Sequence, residues 1–120
     1  MGLDMYALIT PEKPDKPFGF KIEDALEIHY WRKHPNLHGW MENLYIQKGG
    51  RELFNCIALA LTADDLDRLE ADVRAEKLPP TQGFFFGQSD GSESDDDLAF
   101  ITKARAALAE GKTVFYDSWW

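Results

Sequence analysis

Basic residues are scarce in this sequence, in which 13 Lys and Arg stand against 21 Asp and Glu and give a formal net charge of −8. A protein that binds nucleic acid by neutralising phosphates needs a net basic face, and anionic membrane surfaces attract basic segments. We therefore expect neither direct nucleic-acid binding nor docking on a membrane. Hydrophobic residues make up 44% of the 120-residue chain, which is enough for the core of one domain over residues 1–120.

Cysteine is nearly absent, and no segment is typical of secretion or of a membrane span. Cys56 is the single cysteine, which excludes an intrachain disulfide, and its apolar neighbours predict a buried small hydrophobe. The first residues contain neither a basic region nor an apolar core like those of a signal peptide, and no apolar run approaches the ~20 residues of a transmembrane helix. These features predict a cytoplasmic protein.

The common catalytic motifs are missing as well. The sequence contains no GxSxG, no phosphate-binding P-loop, no GxGxxG and no cysteine pair. We therefore assign no catalytic residue and no cofactor from the sequence.

The hydrophobic pattern predicts an α+β domain with about four strands in one sheet and three or four helices packed on it. Residues 23–33 have acids at the start and bases at the end, as a helix dipole favours. The helix from Pro35 ends at Gly49-Gly50, and Thr62 begins a capping box for the next one. The predicted order is β-α-α-β-α-β-α-β, with strands at residues 3–10, 54–61, 83–87 and 113–119 and helices at residues 23–33, 35–48, 62–77 and 95–110.

All three histidines lie within residues 29–38, and two interpretations of this segment stay open. His38 and Glu42 are four residues apart on the predicted helix, a spacing that metal ligands use. A small metal-binding protein or enzyme would be built on His29, His34, His38 and Glu42, with Asp4 or Asp117 added, and its metal ligands would be His34, His38 and Glu42. The interpretation we prefer is a small basic island for an anion or a partner, made of Arg32, Lys33, His34 and His38.

Acidic residues are concentrated at residues 90–97. The alternation there resembles the start of a calcium-binding EF-hand loop, but Asp95 stands where that loop needs glycine and Ile101 where it needs glutamate. The plainer interpretation is a solvated loop in which Ser94 caps the following helix. The alternative is a partner-binding acidic surface formed by Asp90, Glu93, Asp95, Asp96 and Asp97.

Two tryptophans, Trp119 and Trp120, close the sequence. Tryptophan is enriched where proteins bind partners, so both are candidate partner-binding residues. The alternative is that the last strand brings one indole into the core and leaves the other as a lid over it.

Three short motifs give the sequence a resemblance that extends over nearly its whole length. The start MGLDMY at residues 1–6, the block YWRK at 30–33 followed by HGW at 38–40, and the ending FYDSWW at 115–120 resemble a family of small proteins from proteobacteria and bacteriophages. The resemblance implies no particular activity. It implies a cytoplasmic protein that travels with phages or prophages.

The function that these features favour is an acidic protein-interaction module that inhibits or modulates a host factor. Its partner would be a host protein that its acidic surface recognises by charge complementarity, or a second copy of the chain joined through Trp119 and Trp120. The sequence does not fix the oligomeric state. The alternative is the metal-binding protein or enzyme built on the histidines.

Overall fold

The computed structural model describes residues 2–83 and 86–120, and over these residues it shows an α+β fold with one sheet of four strands and three helices. The sheet has the strand order β2-β1-β4-β3, and each neighbouring pair is antiparallel. The elements in chain order are β1 (Asp4–Thr10), β2 (Leu26–Arg32), α1 (Pro35–Gln47), β3 (Leu59–Leu61), α2 (Ala63–Arg74), α3 (Ser94–Ala109) and β4 (Thr113–Trp119).

The register of β1 with its two neighbours decides which side chains share a face. Tyr6 of β1 lies opposite Tyr30 of β2 and Asp117 of β4, and Asp4 lies opposite Arg32 and Trp119. Side chains of paired residues point to the same side of a sheet, and successive residues alternate. These six residues therefore lie on one face, while their chain neighbours point to the other.

The helices cover that other face, which we call the covered face. Met5, Ala7 and Ile9 of β1, Trp31 of β2 and Tyr116 of β4 are buried there in one continuous core. The helices contribute the apolar residues Leu37, Met41, Leu44, Leu66, Leu69, Phe100 and Ile101 to the same core. No described helix is long and apolar enough to cross a membrane.

The opposite face of the sheet is covered over one part only. Phe20, from the loop between β1 and β2, packs there against Ala58 and Phe115, with its ring edge-on to that of Phe115 at 5.3 Å between centroids. None of the three described helices packs on the rest of this face. We call this part the bare face, and its residues are Asp4, Tyr6, Tyr30, Arg32, Asp117 and Trp119.

The predicted helix at residues 23–33 is wrong, because residues 26–32 form strand β2. Alternate residues have opposite environments there, since His29 and Trp31 are buried while Tyr30 and Arg32 are exposed. This period of two is typical of a strand with one buried face. Pairing with β1 outweighs the charge pattern that favoured a helix. The element order is therefore β-β-α-β-α-α-β.

Two other predicted strands need correction or qualification. In the apolar run at residues 54–61 only Leu59–Leu61 is a strand. Cys56 has a φ of +58, and its amide donates to the carbonyl of Ser118. Its side chain is exposed, so the prediction of a buried thiol is wrong. In the expected strand at residues 83–87, Phe84 and Phe85 lie outside the described residues, and Gly83, Phe86 and Gly87 are not in a strand.

The helix starts were predicted with mixed success. Pro35 begins α1, and Thr62 caps α2 through the predicted capping box, in which its hydroxyl accepts from the amide of Asp65 and the Asp65 carboxylate accepts from the amide of Thr62. The prediction for α3 is wrong, because Glu93 and not Ser94 is its N-cap. The hydroxyl of Ser94 instead donates to the carbonyl of Gly91.

Candidate functional site

His34 is the centre of a buried polar network at the start of α1. It precedes Pro35 and has only 3% of its surface exposed. Its Nε2 lies 2.9 Å from Oδ2 of Asp97, in the first turn of α3, and its Nδ1 lies 2.6 Å from the hydroxyl of Ser89. The other oxygen of Asp97, whose surface is 1% exposed, accepts a hydrogen bond from the indole of Trp31 at 3.0 Å. Four residues from three elements and a loop are thus joined in series.

A cavity of about 270 Å³ opens onto this network, with His34, Asn36, Ser89, Glu93 and Asp97 in its lining. Ser89 is half-buried, and its hydroxyl accepts a hydrogen bond from the backbone N–H of Asn36 at 3.1 Å. Glu93 lies 3.8 Å from Nδ1 of His34, and its carboxylate accepts from the amides of the loop before α3. The hydroxyl of Ser89 therefore sits between an imidazole, a helix N-terminus and solvent.

His38 lies deeper in the core, among aromatic rings. Its ring is stacked on Phe54 with centroids 5.2 Å apart, and its Nδ1 lies 2.7 Å from the hydroxyl of Tyr116. Burial lowers the pKa of His38 to about 4, so the imidazole is neutral near pH 7. Burial also raises the pKa of Tyr116 well above its usual value, so its phenol is protonated near pH 7.

The basic island that we expected at residues 32–38 is therefore wrong, because two of its four residues do not lie on the surface. His34 and His38 are buried and engaged with Asp97 and Tyr116. Arg32 and Lys33 are exposed, and Arg32 is paired with Asp4 at 2.8 Å. Burial lowers the pKa of His38, and its neutral imidazole adds no positive charge to the surface.

The structure also does not bring together the residues that we expected to bind a metal ion. No group of three or more His, Cys, Asp or Glu side chains in the described part of the chain is placed to hold a metal ion. His34, His38 and Glu42 thus form no such group. His29 is directed elsewhere, with its Nε2 3.0 Å from a carboxylate oxygen of Asp96 and its Nδ1 3.2 Å from Nζ of Lys103.

The acidic residues predicted to face a partner are mostly occupied within the protein. Asp97 is buried against His34, Asp96 lies beside His29, and Glu93 accepts loop amides. The carboxylate of Asp90 accepts from the amide and the hydroxyl of Ser92, and these bonds lower its pKa. Asp90, Asp95 and Asp96 are exposed, so a reduced form of the predicted surface remains.

The two C-terminal tryptophans have different environments. Trp120 is half-buried beside Phe86, with ring centroids 5.2 Å apart, and its indole donates to the carbonyl of Phe54. One indole thus reaches the core, as one of our two interpretations expected. Trp119 lies on the bare face instead of forming a lid over the core, and 67% of its surface is exposed.

The bare face carries aromatic rings and carboxylates side by side. The rings of Tyr6 and Tyr30 are 5.3 Å apart, and 44% of the surface of Tyr30 is exposed. Asp4 accepts hydrogen bonds from the hydroxyl of Tyr30 at 2.6 Å and from Arg32 at 2.8 Å, and these bonds lower its pKa. Burial raises the pKa of Asp117.

The pKa of Tyr6 indicates the balance of charge on this face. Its pKa is raised first by burial and then by the carboxylates of Asp4, Glu27 and Asp117, while Arg32 opposes the shift. Three carboxylates against one guanidinium make this part of the surface favourable for positive charge.

Searches of protein-family models, of curated proteins and of solved structures find no match to this chain. The candidate sites therefore stand on the geometry and chemistry of their own residues.

Sequence reasoning missed two sets of residues in these sites. Ser89 was not recognised as a partner of His34, because 55 residues separate them and no motif joins them. Tyr6 and Tyr30 were not recognised as a surface pair, because we assigned residues 23–33 to a helix. The alternation of polar and apolar side chains at residues 28–32 was the signal that could have revealed the strand.

Proposed function

We propose that this protein is a protein-interaction module and that its docking surface is the bare face of the sheet. The proposal rests on the exposure of two large aromatic side chains, Tyr30 and Trp119, on a sheet face that none of the described helices covers. Tryptophan and tyrosine dominate the binding energy of many interfaces, because they bury a large area at a small cost in conformational entropy.

The chemistry of this face favours a partner with a basic surface. An arginine side chain gains from lying over an aromatic ring and from bonding to a carboxylate at the same time. Tyr6, Tyr30 and Trp119 offer the rings, and Asp4 and Asp117 offer the carboxylates beside them. The net charge of −8 also speeds encounter with a positively charged partner.

The class of partner that fits is a nucleic-acid-binding protein of the host, whose basic surface this module occupies in place of nucleic acid. The resemblance to small proteobacterial and bacteriophage proteins supports this setting, in the cytoplasm of the host. The exposed acids Asp90, Asp95 and Asp96 add to the attraction at long range. The aromatic rings of the bare face supply the contact.

The test is a pull-down from nuclease-treated lysate with the wild-type protein and three variants. Tyr30→Ala and Trp119→Ala remove the rings of the bare face, while Ile46→Ala removes an apolar side chain that is 58% exposed on α1, outside that face. We expect one partner to be recovered by the wild type and by Ile46→Ala, and to be lost with the other two variants and at high salt.

Two results would overturn the proposal. One is equal recovery of every protein by all four baits. The other is a homodimer that light scattering detects in the wild type and that Trp119→Ala dissociates, because a second copy of the chain would then occupy the face. As a defined probe, an oligoarginine peptide should shift the NMR signals of β1, β2 and β4 on the bare face, whereas an oligoglutamate peptide should not.

A further inference from the structure

We propose that Ser89, His34 and Asp97 form a nucleophilic site that hydrolyses esters bearing a positive charge. This inference goes beyond the docking function and uses a different part of the molecule. It rests on the two hydrogen bonds that join a serine hydroxyl, an imidazole and a buried carboxylate in series, at 2.6 Å and 2.9 Å, beside an open cavity. This is the sequence of groups by which serine hydrolases activate their nucleophile.

The partners of His34 determine which of its nitrogens is the base. An ionised carboxylate only accepts hydrogen bonds, and Oδ1 of Asp97 already accepts from the indole of Trp31. Oδ2 of Asp97 therefore receives the proton on Nε2 of His34, which leaves the lone pair of Nδ1 directed at the hydroxyl of Ser89. Relative to the usual arrangement of serine hydrolases, the two ring nitrogens exchange roles, but the chemistry of proton transfer is the same.

The surroundings of Ser89 suit a developing negative charge. Asn36 is the second residue of the 13-residue helix α1, and its N–H already points at the serine oxygen. The N-terminus of a helix carries partial positive charge, which favours the negative charge that develops as Ser89 gives up its proton. The side chain of Asn36 accepts from the amide of Thr81 and thereby ties this helix end to the loop that precedes Ser89.

The reaction balances with water as the only co-substrate. The oxygen of Ser89 bonds to the carbonyl carbon of the ester while its proton moves to Nδ1 of His34. The bond from that carbon to the alcohol oxygen then breaks, and the alcohol leaves with the proton from Nδ1. Water attacks the acyl-serine by the same route, so that a carboxylic acid is released and the hydroxyl of Ser89 is restored.

The lining of the cavity indicates the class of substrate. Val73 and Leu78 are apolar residues of the lining, and Glu76, Asp90 and Glu93 are acidic residues of it. These carboxylates repel a negatively charged substrate and attract a cationic one. We therefore expect preference for an ester with a quaternary or primary ammonium group.

The test is covalent labelling of the full chain with a biotinylated fluorophosphonate, followed by mass spectrometry to locate the label. We expect the label on Ser89 in the wild type and in the control Ser92→Ala, and no label in Ser89→Ala. His34→Gln should slow labelling by about 100-fold or more, which is the usual range for loss of a general base. Thermal unfolding of each variant shows which of them remain folded.

Hydrolysis of a matched pair of thioesters tests the preference for charge. The wild type should hydrolyse acetylthiocholine faster than the neutral analogue in which carbon replaces nitrogen, and Ser89→Ala should hydrolyse neither. Asp97 touches no substrate and is a positioning residue. In the folded Asp97→Asn variant the amide should donate to Nε2 and so place a proton on Nδ1, which slows labelling and changes its pH profile.

Three results would overturn the proposal. They are the absence of label from Ser89 of the folded wild type, label that Ser89→Ala retains, and label at an unchanged rate in folded His34→Gln. In each case the hydroxyl of Ser89 serves only to bind the start of α1.

Discussion

The two faces of the sheet use the same strands in opposite ways. On β2, Trp31 is buried on the covered face and donates to the carboxylate of Asp97, whereas its neighbour Tyr30 is exposed on the bare face. Trp119, at the end of β4, is exposed to solvent, whereas the next residue, Trp120, packs beside Phe86. In each pair of neighbours, one aromatic side chain packs in the core and the other lies on the surface.

The difference shows what each face does. The buried side chains of His34, His38 and Asp97 have hydrogen-bond partners, because a buried polar group without a partner costs free energy. The rings of the bare face have carboxylates beside them, and none of the described helices lies over them. The covered face therefore contributes most to stability, and the bare face is the surface that we propose for docking.

The largest effect that distinguishes the two faces is expected at neighbouring residues of β2. Trp31→Ala should lower the free energy of unfolding by about 3–5 kcal/mol, since it leaves a cavity and removes the indole donor of Asp97. Tyr30→Ala should lower it by less than about 1 kcal/mol, as surface substitutions do. Urea denaturation measures both values, and equal losses would contradict the assignment of the faces.

The pH dependence of stability tests the burial of His38. Its pKa is about 4 in the folded protein, against 6.5 for a histidine exposed to water, so the unfolded chain binds more protons between these pH values. The free energy of unfolding should therefore fall as the pH drops from 6.5 to 4, by about 3 kcal/mol in total.

The control for this prediction is His38→Gln, which has no titrating ring but keeps a polar side chain. Its denaturation curves should show a flatter dependence on pH over the same interval. If the free energy of unfolding depends on pH equally in the wild type and the variant, the acid sensitivity arises from other groups. The claim that burial lowers the pKa of His38 would then be wrong.

A smaller effect is expected at the start of α2, which packs over the covered face. Thr62→Ala removes the hydroxyl that accepts from the amide of Asp65, and it should lower the free energy of unfolding by about 1 kcal/mol. Thr62→Ser keeps the acceptor and should be close to the wild type. Thermal unfolding of the two variants checks this, and an equal loss in both would show that the methyl group, not the cap, is responsible.

The smallest effect on folding is expected on the bare face itself. Trp119→Ala should change the free energy of unfolding by no more than about 0.5 kcal/mol, because most of the side chain is already in solvent. A loss of several kcal/mol, measured by urea denaturation, would show that the indole supports the fold and would remove the argument that it is kept for a partner.

The elements with strong local signals were predictable from the sequence. The apolar stripe after Pro35 and the capping box at Thr62 lie within single helices, and α1 and α2 begin at these residues. The apolar run of β4 at residues 113–119 is a strand as expected. The helix predicted for residues 23–33 failed because its acidic start and basic end are local features, whereas the strand there depends on pairing with β1, whose paired residues lie 17 to 28 positions earlier in the sequence.

The candidate sites were less predictable, because burial and charge depend on distant partners. From the sequence we expected His34 to be a cation on the surface. In the structure it is buried against Asp97 and Ser89, which are 63 and 55 residues away in the sequence. The same is true of His38, which meets Tyr116 across 78 residues. Residues so far apart in the sequence share no local motif, so the basic island could be corrected only by the structure.

Photocrosslinking in the cell tests the docking surface most directly. A p-benzoylphenylalanine is placed at Tyr30 of the bare face in one protein and at Ile46 of α1 in another. The account predicts that irradiation gives a single heavier adduct with a basic protein from position 30 and none from position 46. An adduct from position 46 alone, or no adduct from position 30, would contradict it.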